Sequence, residues 1–278
     1  MPVFTDQLGR TIVLPRIPRR IISLVPSQTE LLYSLGLEES VVGITRFCVH
    51  PDSWFRQKSR IGGTKAVDFA RVVALQPDLI IAGKEENERP QVEALAERYP
   101  VWVSDIKTLA DALAMIRAIG ELTGTAAAAN PMADEIAHRF TALETAVTKT
   151  THEAAPPGAV HRPPEGNRVA YLIWRNPWMT AGGDTFIHQM LQHAGFTNVF
   201  ENQIRYPEIN LTDLAGAHIT ILLSSEPYPF RERHIQEIKE ILPQARVELV
   251  DGEFFSWYGS HLLLAPAYFQ QLREQLVI

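Results

Sequence analysis

The chain has 278 residues, of which 46% are hydrophobic and 21% are charged, with a formal net charge of −6. This composition is normal for a soluble globular protein of one large domain or two ordinary ones. The negative charge and the absence of Lys/Arg runs argue against nucleic acid as a partner. The single cysteine, Cys48, excludes an internal disulfide, and no run of about 18 apolar residues is present to span a membrane.

The N-terminal segment Met1–Asp6 lacks the basic start, the apolar run and the cleavage site of a signal peptide, and it contains no lipid-accepting cysteine. We therefore expect a cytoplasmic location for the sequence as written. A periplasmic or cell-surface location would follow if a leader had been removed.

The first 124 residues alternate short β and α patterns. Val3–Pro15 predicts a small hairpin, and Ser27-x-x-Glu30 matches a capping box that would open the first helix. The other elements are strands at Arg20–Leu24, Val41–Thr45, Asp78–Ala82 and Val101–Ser104, and helices at Thr29–Leu35, Phe69–Leu75, Glu88–Tyr99 and Leu109–Leu122. Strands that alternate with helices through short links predict a parallel sheet covered on both faces.

One long helix is predicted in the middle of the chain, at about Thr125–Thr150. Its apolar residues recur at alternating steps of four and three, which places them along one stripe: Ala129, Ala133, Ile136, Phe140, Leu143 and Val147. Because Pro131 is tolerated only near a helix start, the well-formed part is expected to begin there. We favour a rigid backbone between two lobes over a crossover helix within one sheet.

A second α/β pattern follows the Pro/Gly-rich tail Ala155–Asn167. Its strands are predicted at Arg168–Trp174, Ile219–Ser224 and Arg246–Val250, and its helices at Thr185–Ala194, Arg231–Leu242 and His261–Leu276. The predicted organisation is an N-terminal α/β lobe at 1–124, a backbone helix at 125–150 and a C-terminal α/β lobe at 151–278.

Polar residues of the first lobe follow its strands, where open parallel sheets bind ligands. Gly62-Gly-Thr-Lys65 lacks the spacing of a P-loop and is either an anion- or amide-contacting turn or a plain tight turn. The run Lys84–Asn87 is either a solvated charge cluster or a ligand contact. Cys48 and His50 are candidate metal ligands, but two ligands do not complete a site, so ordinary loop packing is favoured.

Aromatic residues follow the three strands of the second lobe, in Trp174–Trp178, Ser224–Phe230 and Phe254–Tyr258. Such side chains are often part of a core. Because they lie in Gly/Pro-rich loops at three strand ends, we favour a cradle for a large, flat, amphipathic ligand. Signatures of catalysis such as Gly-x-Ser-x-Gly and His-Glu-x-x-His are missing, which favours binding over turnover.

Taken together, these segments resemble the helical-backbone substrate-binding proteins of ABC importers, and within them the cobalamin-binding branch. The resemblance is carried by Ile21–Leu32, Gly62–Lys65, Gln76–Ile81, Lys84–Asn87, Trp174–Gly183, Asn198–Phe200 and Phe255–Tyr258, which stand in the order and spacing of that family. It covers nearly the whole chain apart from Thr150–Asn167.

The resemblance implies two α/β lobes joined by one helix, with cobalamin or another corrinoid held between them and no resident cofactor. The implied or proposed ligand contacts are Pro26, Ser27, Phe47, Cys48, Thr64, Lys65, Glu86, Asn87, Trp174, Arg175, Trp178, Phe255, Trp257 and Tyr258. Haem or a ferric siderophore is an alternative ligand. An enzyme of the metal-chelatase type is an alternative class, with Cys48, His50, Glu86 and His261 as its candidate groups.

An ABC permease is the partner that the resemblance implies. Family members that deliver cargo to a permease carry an acidic residue on each lobe. In this sequence the matching positions hold Ala70 and Thr212, so both acids are replaced. A one-residue slip of the alignment would put Asp68 or Asp213 there instead. We therefore expect a corrinoid-binding relative that is uncoupled from import.

Overall fold

The computed structural model describes residues 2–153, 167–216 and 218–276. These residues group into two compact units. The first unit contains the chain up to Ile106 together with Ala110–Ile136 and Trp257–His261, and the second unit contains the rest of the described chain. The structure thus differs from the predicted domains at two points, because the boundary falls inside the long helix and Trp257–His261 packs with the first unit.

The first unit is built on a five-stranded sheet in which every neighbouring pair of strands is parallel. In spatial order the strands are β5 (Ser59–Arg60), β4 (Val41–Ile44), β3 (Ile21–Ser23), β8 (Leu79–Gly83) and β9 (Val101–Ser104). Two small antiparallel hairpins accompany it, β1 (Val3–Thr5) with β2 (Thr11–Val13) and β6 (Gly62–Gly63) with β7 (Ala66–Val67).

Six helices contribute to the first unit: α1 (Pro26–Ser34), α2 (Asp52–Gln57), α3 (Phe69–Leu75), α4 (Arg89–Ala96), α5 (Leu109–Thr123) and the beginning of α6 (Ala126–Glu153). The central strands β3 and β8 are buried along their whole length. The chain first extends the sheet on one side of β3 and then returns to add β8 and β9 on the other side. The strand order therefore reverses beside β3, at a topological switch point.

The second unit has a five-stranded sheet. Its strands are β10 (Arg168–Trp174), β11 (Met179–Thr180), β12 (Thr197–Asn198), β13 (Thr220–Ser224) and β14 (Arg246–Val250). Strand β11 is antiparallel to β10, and the other pairs are parallel. The helices are α7 (Phe186–His193), α8 (Glu232–Ile241), α9 (Glu253–Ser256) and α10 (Ala265–Leu276), with a short 3-10 helix at Leu211–Leu214. Another 3-10 helix, Ser260–Leu263, has its first two residues in the first unit and its last two in the second. Here the strand order reverses beside β10, next to β13.

The long helix α6 has 28 residues, and it confirms the predicted apolar stripe. Ala133 and Ile136 are fully buried and belong to the first unit, whereas Phe140 is buried in the second. The helix begins five residues before Pro131, so the expected start there is wrong. Helix-forming alanines precede the proline, and its missing N–H costs a single hydrogen bond.

The structure confirms the predicted α/β class with mainly parallel sheets. The predicted capping box is wrong, because α1 begins at Pro26 with Val25 as its N-cap, which places Ser27 inside the first turn. Short elements such as α2 and β5 were not predicted, since a few residues carry no readable periodicity. The tail 155–166 lies outside the described residues. None of the helices in the described ranges combines the length and apolar character that crossing a membrane requires.

The packing of α5 against α6 gives a prediction for stability. A Cβ on Gly120 would collide with the Cβ of Ala129 and lie 3.1 Å from the Cα of Ala126. Gly120→Ala is therefore expected to lower the free energy of unfolding by about 1–3 kcal/mol, although alanine normally favours a helix by about 1 kcal/mol.

Urea unfolding of the single variants and of Gly120→Ala/Ala129→Gly checks this expectation. The loss in the double variant should be smaller than the sum of the two single losses, because the second change removes the collision. A rise in stability for Gly120→Ala alone would contradict the packing argument.

Candidate functional site

The carboxyl ends of β3 and β8 form the first candidate surface, beside the switch point of the first unit. Strand β3 leads almost directly into α1, whose first residue is Pro26. Ser27 is 4% exposed and lies in the first turn of that helix. Open parallel sheets bind ligands at this edge, and ligand contact by Pro26 and Ser27 stays a prediction.

Asn87 joins three loops at this edge. Its Nδ2 donates to the carbonyl oxygens of Thr64 at 2.9 Å and Leu24 at 3.4 Å, and its Oδ1 accepts from the N–H of Gly83 at 2.9 Å. Thr64 and Asn87 are both only 8% exposed. Because its amide is engaged within the protein, Asn87 orders the surface and is less suited to direct ligand contact than predicted.

The Gly62–Lys65 segment is the tight turn of the β6–β7 hairpin. Gly62 has a φ of 100°, and the carbonyl oxygen of Ala66 occupies the space that a Cβ would need, so glycine is required there. Lys65 is exposed at the turn, where its carbonyl oxygen accepts from Nε2 of Gln91 at 2.6 Å. The turn therefore presents a cation next to the edge that Asn87 orders.

Cys48 points into the first unit. Its Sγ lies 3.1 Å from the hydroxyl oxygens of both Thr29 and Thr45, its side chain is fully buried, and this burial raises the pKa of the thiol. The predicted ligand contact by Cys48 is contradicted, because a buried neutral thiol offers no surface. The neighbouring Phe47 is 49% exposed and carries the guanidinium of Arg46 at 5.0 Å from its ring centre.

The geometry does not support the metal hypothesis for Cys48 and His50. The His50 side chain is exposed and makes an edge-to-face contact with Trp257, with ring centres 5.4 Å apart, whereas Cys48 faces the interior. Within the described ranges, no group of three or more His, Cys, Asp and Glu side chains could hold a metal ion.

Glu86 is a partly buried carboxylate at the end of β8. Its burial raises its pKa, and the nearby Lys65 ammonium opposes that rise without cancelling it. A carboxylate in this setting is a good acceptor for ligand N–H groups, because a hydrogen bond would restore part of the solvation that burial removes.

The segment Trp257–His261 packs on α1 in the first unit, although it was predicted in the second lobe. Tyr258 Oη would lie 3.3 Å from a Cβ on Gly83, and the His261 ring approaches the Glu30 carboxylate at 3.2 Å. Trp257 and Tyr258 are only 5% and 6% exposed. They help to form the floor of the β8 edge and present little surface of their own.

The second candidate surface is a group of four aromatic rings that we call the aromatic cluster: Trp174, Trp178, Tyr228 and Phe230. Trp178 stacks on Phe230 with ring centres 6.0 Å apart and planes 3° from parallel. Tyr228 contacts both Trp174, at 5.6 Å, and Phe230, at 4.8 Å. Trp174 is the last residue of β10, and Trp178 lies in the loop after it. Tyr228 and Phe230 lie in the loop after β13, which is the parallel neighbour of β10 at the switch point of the second unit.

Arg175 was predicted to meet the ligand, and the structure engages it within the second unit. Its guanidinium donates to both carboxylate oxygens of Glu237 at 2.7–3.0 Å. It also lies 6.0 Å from the ring centre of Trp178. The hydrogen bonds to Glu237 raise the pKa of Arg175. Arg175 therefore supports the aromatic cluster.

The predicted ligand contact by Phe255 is contradicted, because its side chain is fully buried. It packs between Tyr171 and Phe269, with ring centres at 5.0 and 4.8 Å. Its neighbour Phe254 stacks on Tyr268 at 4.2 Å. Two of the three aromatic loops thus come together in the aromatic cluster, and Phe254 and Phe255 of the third line the core beside α10.

The predicted site list omitted four side chains of the second surface. Tyr228 and Phe230 belong to the aromatic cluster, and their loop position was a usable signal. Glu237 and His234 lie on α8, and no sequence feature links them to Trp174–Trp178, since only the fold brings residues 62 positions apart into contact.

Two α/β units with ligand-type loops at the carboxyl ends of parallel strands, sharing one long helix, define the helical-backbone class of binding proteins. Comparison with known families gives a match to the periplasmic binding proteins over residues 21–242. The chain belongs to this family. The members of this family are described as binding proteins.

Similar proteins cover most of the chain. A vitamin B12-binding protein of Pectobacterium atrosepticum is 28% identical over 267 residues, which are 94% of this chain and 89% of that protein. A vitamin B12-binding protein of Vibrio parahaemolyticus is 24% identical, covering 74% and 70% of the two chains.

Solved structures agree in fold. The periplasmic vitamin B12-binding protein of Vibrio cholerae superimposes with a TM-score of 0.75 at 19% identity, covering 95% of this chain and 99% of that one. A periplasmic haem-binding protein holding two haems has a TM-score of 0.75 at 20% identity, with coverages of 92% and 98%. The predicted helical-backbone fold is confirmed.

The raised pKa of Glu86 gives a prediction for the pH dependence of stability. The Glu86 carboxylate binds its proton more tightly in the folded protein than in the unfolded chain. The stability that this protonation contributes is fully present below the unfolded pKa of about 4.3, and it is lost as the pH rises through the folded pKa. Glu86→Gln is therefore expected to melt at a higher temperature than the wild type at pH 7–8, with the difference vanishing near pH 4.

Thermal unfolding between pH 4 and 8 measures this effect. Glu88→Gln is the matched control, because Glu88 is exposed two residues away. An equal melting temperature of Glu86→Gln and wild type at every pH would contradict the stated effect of burial.

Proposed function

We propose that this protein binds a corrinoid without catalysing a reaction on it. The aromatic cluster carries the proposal, because the exposed Trp174 and the partly exposed Trp178 and Tyr228 lie over the buried Phe230 at the carboxyl ends of β10 and β13. Accessible aromatic rings of this kind suit a large flat ligand. The 28% identity to a vitamin B12-binding protein over 94% of this chain supports the same class of ligand.

The proposed roles divide between the two surfaces. Trp174 is exposed and Trp178 is partly exposed, and the accessible parts of these two side chains are the proposed contacts for the ring. On the first unit, Lys65 and Glu86 are the proposed contacts for ligand amides. Phe47, whose ring lies next to Gly63 of the hairpin, is the proposed apolar contact. Pro26, Ser27 and Thr64 border the first surface, Trp257 and Tyr258 contribute to its floor, and Asn87 and Arg175 hold the loops of their own units.

Titration with four ligands tests the proposal. Purified protein is titrated with cyanocobalamin, cobinamide, haemin and a ferric hydroxamate, and binding is followed by calorimetry and by absorbance. Tighter binding of both corrinoids than of the other two is expected. Preference for haemin or for the hydroxamate would assign the site to that alternative ligand, and the absence of heat with all four would refute small-chelate binding.

Removal of the tryptophan faces is a prediction about affinity. Trp174→Ala/Trp178→Ala is expected to weaken cyanocobalamin binding by at least about tenfold, because stacked aromatic contacts contribute on the order of 1 kcal/mol each beyond their burial. Tyr33→Ala is the control, since Tyr33 is 44% exposed near the opposite end of α1. Equal affinities of the double variant and the control would exclude the aromatic cluster as the ligand surface.

The second part of the proposal is that coupling to a permease is weak. Ala70 and Thr212 are both exposed, and the acids beside them differ in their availability. Asp68 caps α3 by accepting from the N–H of Arg71 at 3.1 Å and also pairs with the Arg71 side chain, whereas Asp213 is exposed in a 3-10 helix. Without an acid at Ala70 and Thr212, docking loses charge-assisted pairs and electrostatic steering.

Restoring acids at these positions is expected to increase docking. Ala70→Glu/Thr212→Glu should bind vesicles that contain a vitamin B12 ABC permease more tightly than the wild type, and the gain should fall at high salt because exposed charges are screened. Co-sedimentation at low and high salt measures it, with Ala74→Glu on the same helix as control. Tight, salt-sensitive binding by the wild type itself would refute weak coupling.

A further inference from the structure

We propose that Glu237 is a positioning residue that holds the aromatic cluster in its ligand-binding geometry by acting through Arg175. This inference rests on the proposed function, because it assigns a task to a residue of the same surface. It concerns one face of α8, whose side chains contact both loops that carry the aromatic cluster.

The first contact fixes the loop after β10. Glu237 accepts two parallel hydrogen bonds from Arg175, from Nε at 2.8 Å and from a terminal nitrogen at 2.7 Å. The two side chains are 32% and 29% exposed, so solvent screens this pair less than a fully exposed one. The fork-to-fork geometry also fixes the guanidinium plane, which a single hydrogen bond would not do.

The orientation of Arg175 is passed on to Trp178. The guanidinium carbon lies 6.0 Å from the Trp178 ring centre, and Trp178 in turn stacks on Phe230. Between the two residues the loop is exposed at Asn176 and Pro177, and Asn176 takes a left-handed φ of 63°. Arg175 is thus the point at which this short exposed loop is tied to a helix.

The second contact fixes the loop after β13, one helical turn earlier. His234 accepts from the N–H of Arg231 through Nδ1 at 2.8 Å, and its Nε2 lies 3.3 Å from Tyr228 Oη. Its ring meets Phe230 edge to face, with centres 5.4 Å apart and planes at 90°. Residues three apart share a helix face, so His234 and Glu237 address both loops from the same side of α8.

A preorganised surface binds more tightly because its ordering is completed before the ligand arrives. Without Glu237, Arg175 would keep its charge and lose the partner that fixes its plane, and Trp178 would sample more orientations. The expected consequence is a weaker complex and a less ordered pair of tryptophans, with the rest of the second unit intact.

The test compares four variants with the wild type. Glu237→Gln keeps the shape of the side chain and removes its charge, and Arg175→Lys keeps the charge but cannot form the fork. Arg175→Gln/Glu237→Gln removes both partners, and Glu240→Gln is the control, since Glu240 is an exposed glutamate one turn further along α8. Calorimetry with cyanocobalamin is run well below each melting temperature.

Glu237→Gln and Arg175→Lys are each expected to weaken binding by about tenfold, and Glu240→Gln by less than about twofold. The double variant should bind no more weakly than the weaker single variant, because paired residues are not additive. An affinity of Glu237→Gln equal to that of the control would overturn the inference. Weaker binding by Arg175→Lys but not by Glu237→Gln would also overturn the inference, since Arg175 would then act without Glu237.

A ligand-free measurement separates this inference from the proposed function. Near-ultraviolet circular dichroism and acrylamide quenching report the order of the tryptophans, and Glu237→Gln should show a reduced tryptophan signal and easier quenching than Glu240→Gln. If no probe binds the wild type, the proposed function fails and these spectra alone decide the positioning role. Unchanged spectra would refute that role whatever the ligand.

Discussion

Parallel pairing of β3 with β8 and of β10 with β13 is the constraint on which the candidate surfaces depend. Parallel neighbours cannot be joined by a tight turn, so every connection leaves the sheet, crosses it as a helix and returns. All strand ends of one direction therefore meet at one edge. In each unit the order of strands also reverses at a central strand. At this switch point the chain connections leave toward opposite sides, so the loops next to the central strand are accessible to a ligand.

The two surfaces use this common arrangement with different chemistry. On the first unit, the edge is ordered by hydrogen bonds, with Asn87 joining the ends of β3 and β8 to the hairpin turn at Thr64. On the second unit, the edge is ordered by ring contacts and by one charged fork between Arg175 and Glu237. The first surface is therefore polar, and the second is mainly aromatic.

Burial divides the chemically reactive side chains into structural and exposed groups. Cys48 is the clearest structural case, because two threonine hydroxyls surround its sulfur and the apolar setting keeps the thiol protonated. Glu86 lies between the two groups. It is buried enough for its pKa to rise and remains partly accessible at the end of β8. The chemistry at this edge is therefore hydrogen bonding and charge recognition, in keeping with a family of binding proteins.

The sequence by itself determined the alternation of strands and helices, the buried stripe of α6 and the positions of the loops that carry the candidate side chains, because periodicity and turn residues are local signals. Strands such as Arg168–Trp174 and Arg246–Val250 were predicted to the residue. Tertiary structure alone decided which way each loop side chain points. Trp174 ends β10 and Phe255 comes shortly after β14, yet Phe255 is buried against Phe269 while Trp174 is 40% exposed. It also decided that Trp257–His261 packs on α1 and that Glu237 reaches Arg175, because such contacts join residues far apart in the chain and leave no pattern in the sequence between them.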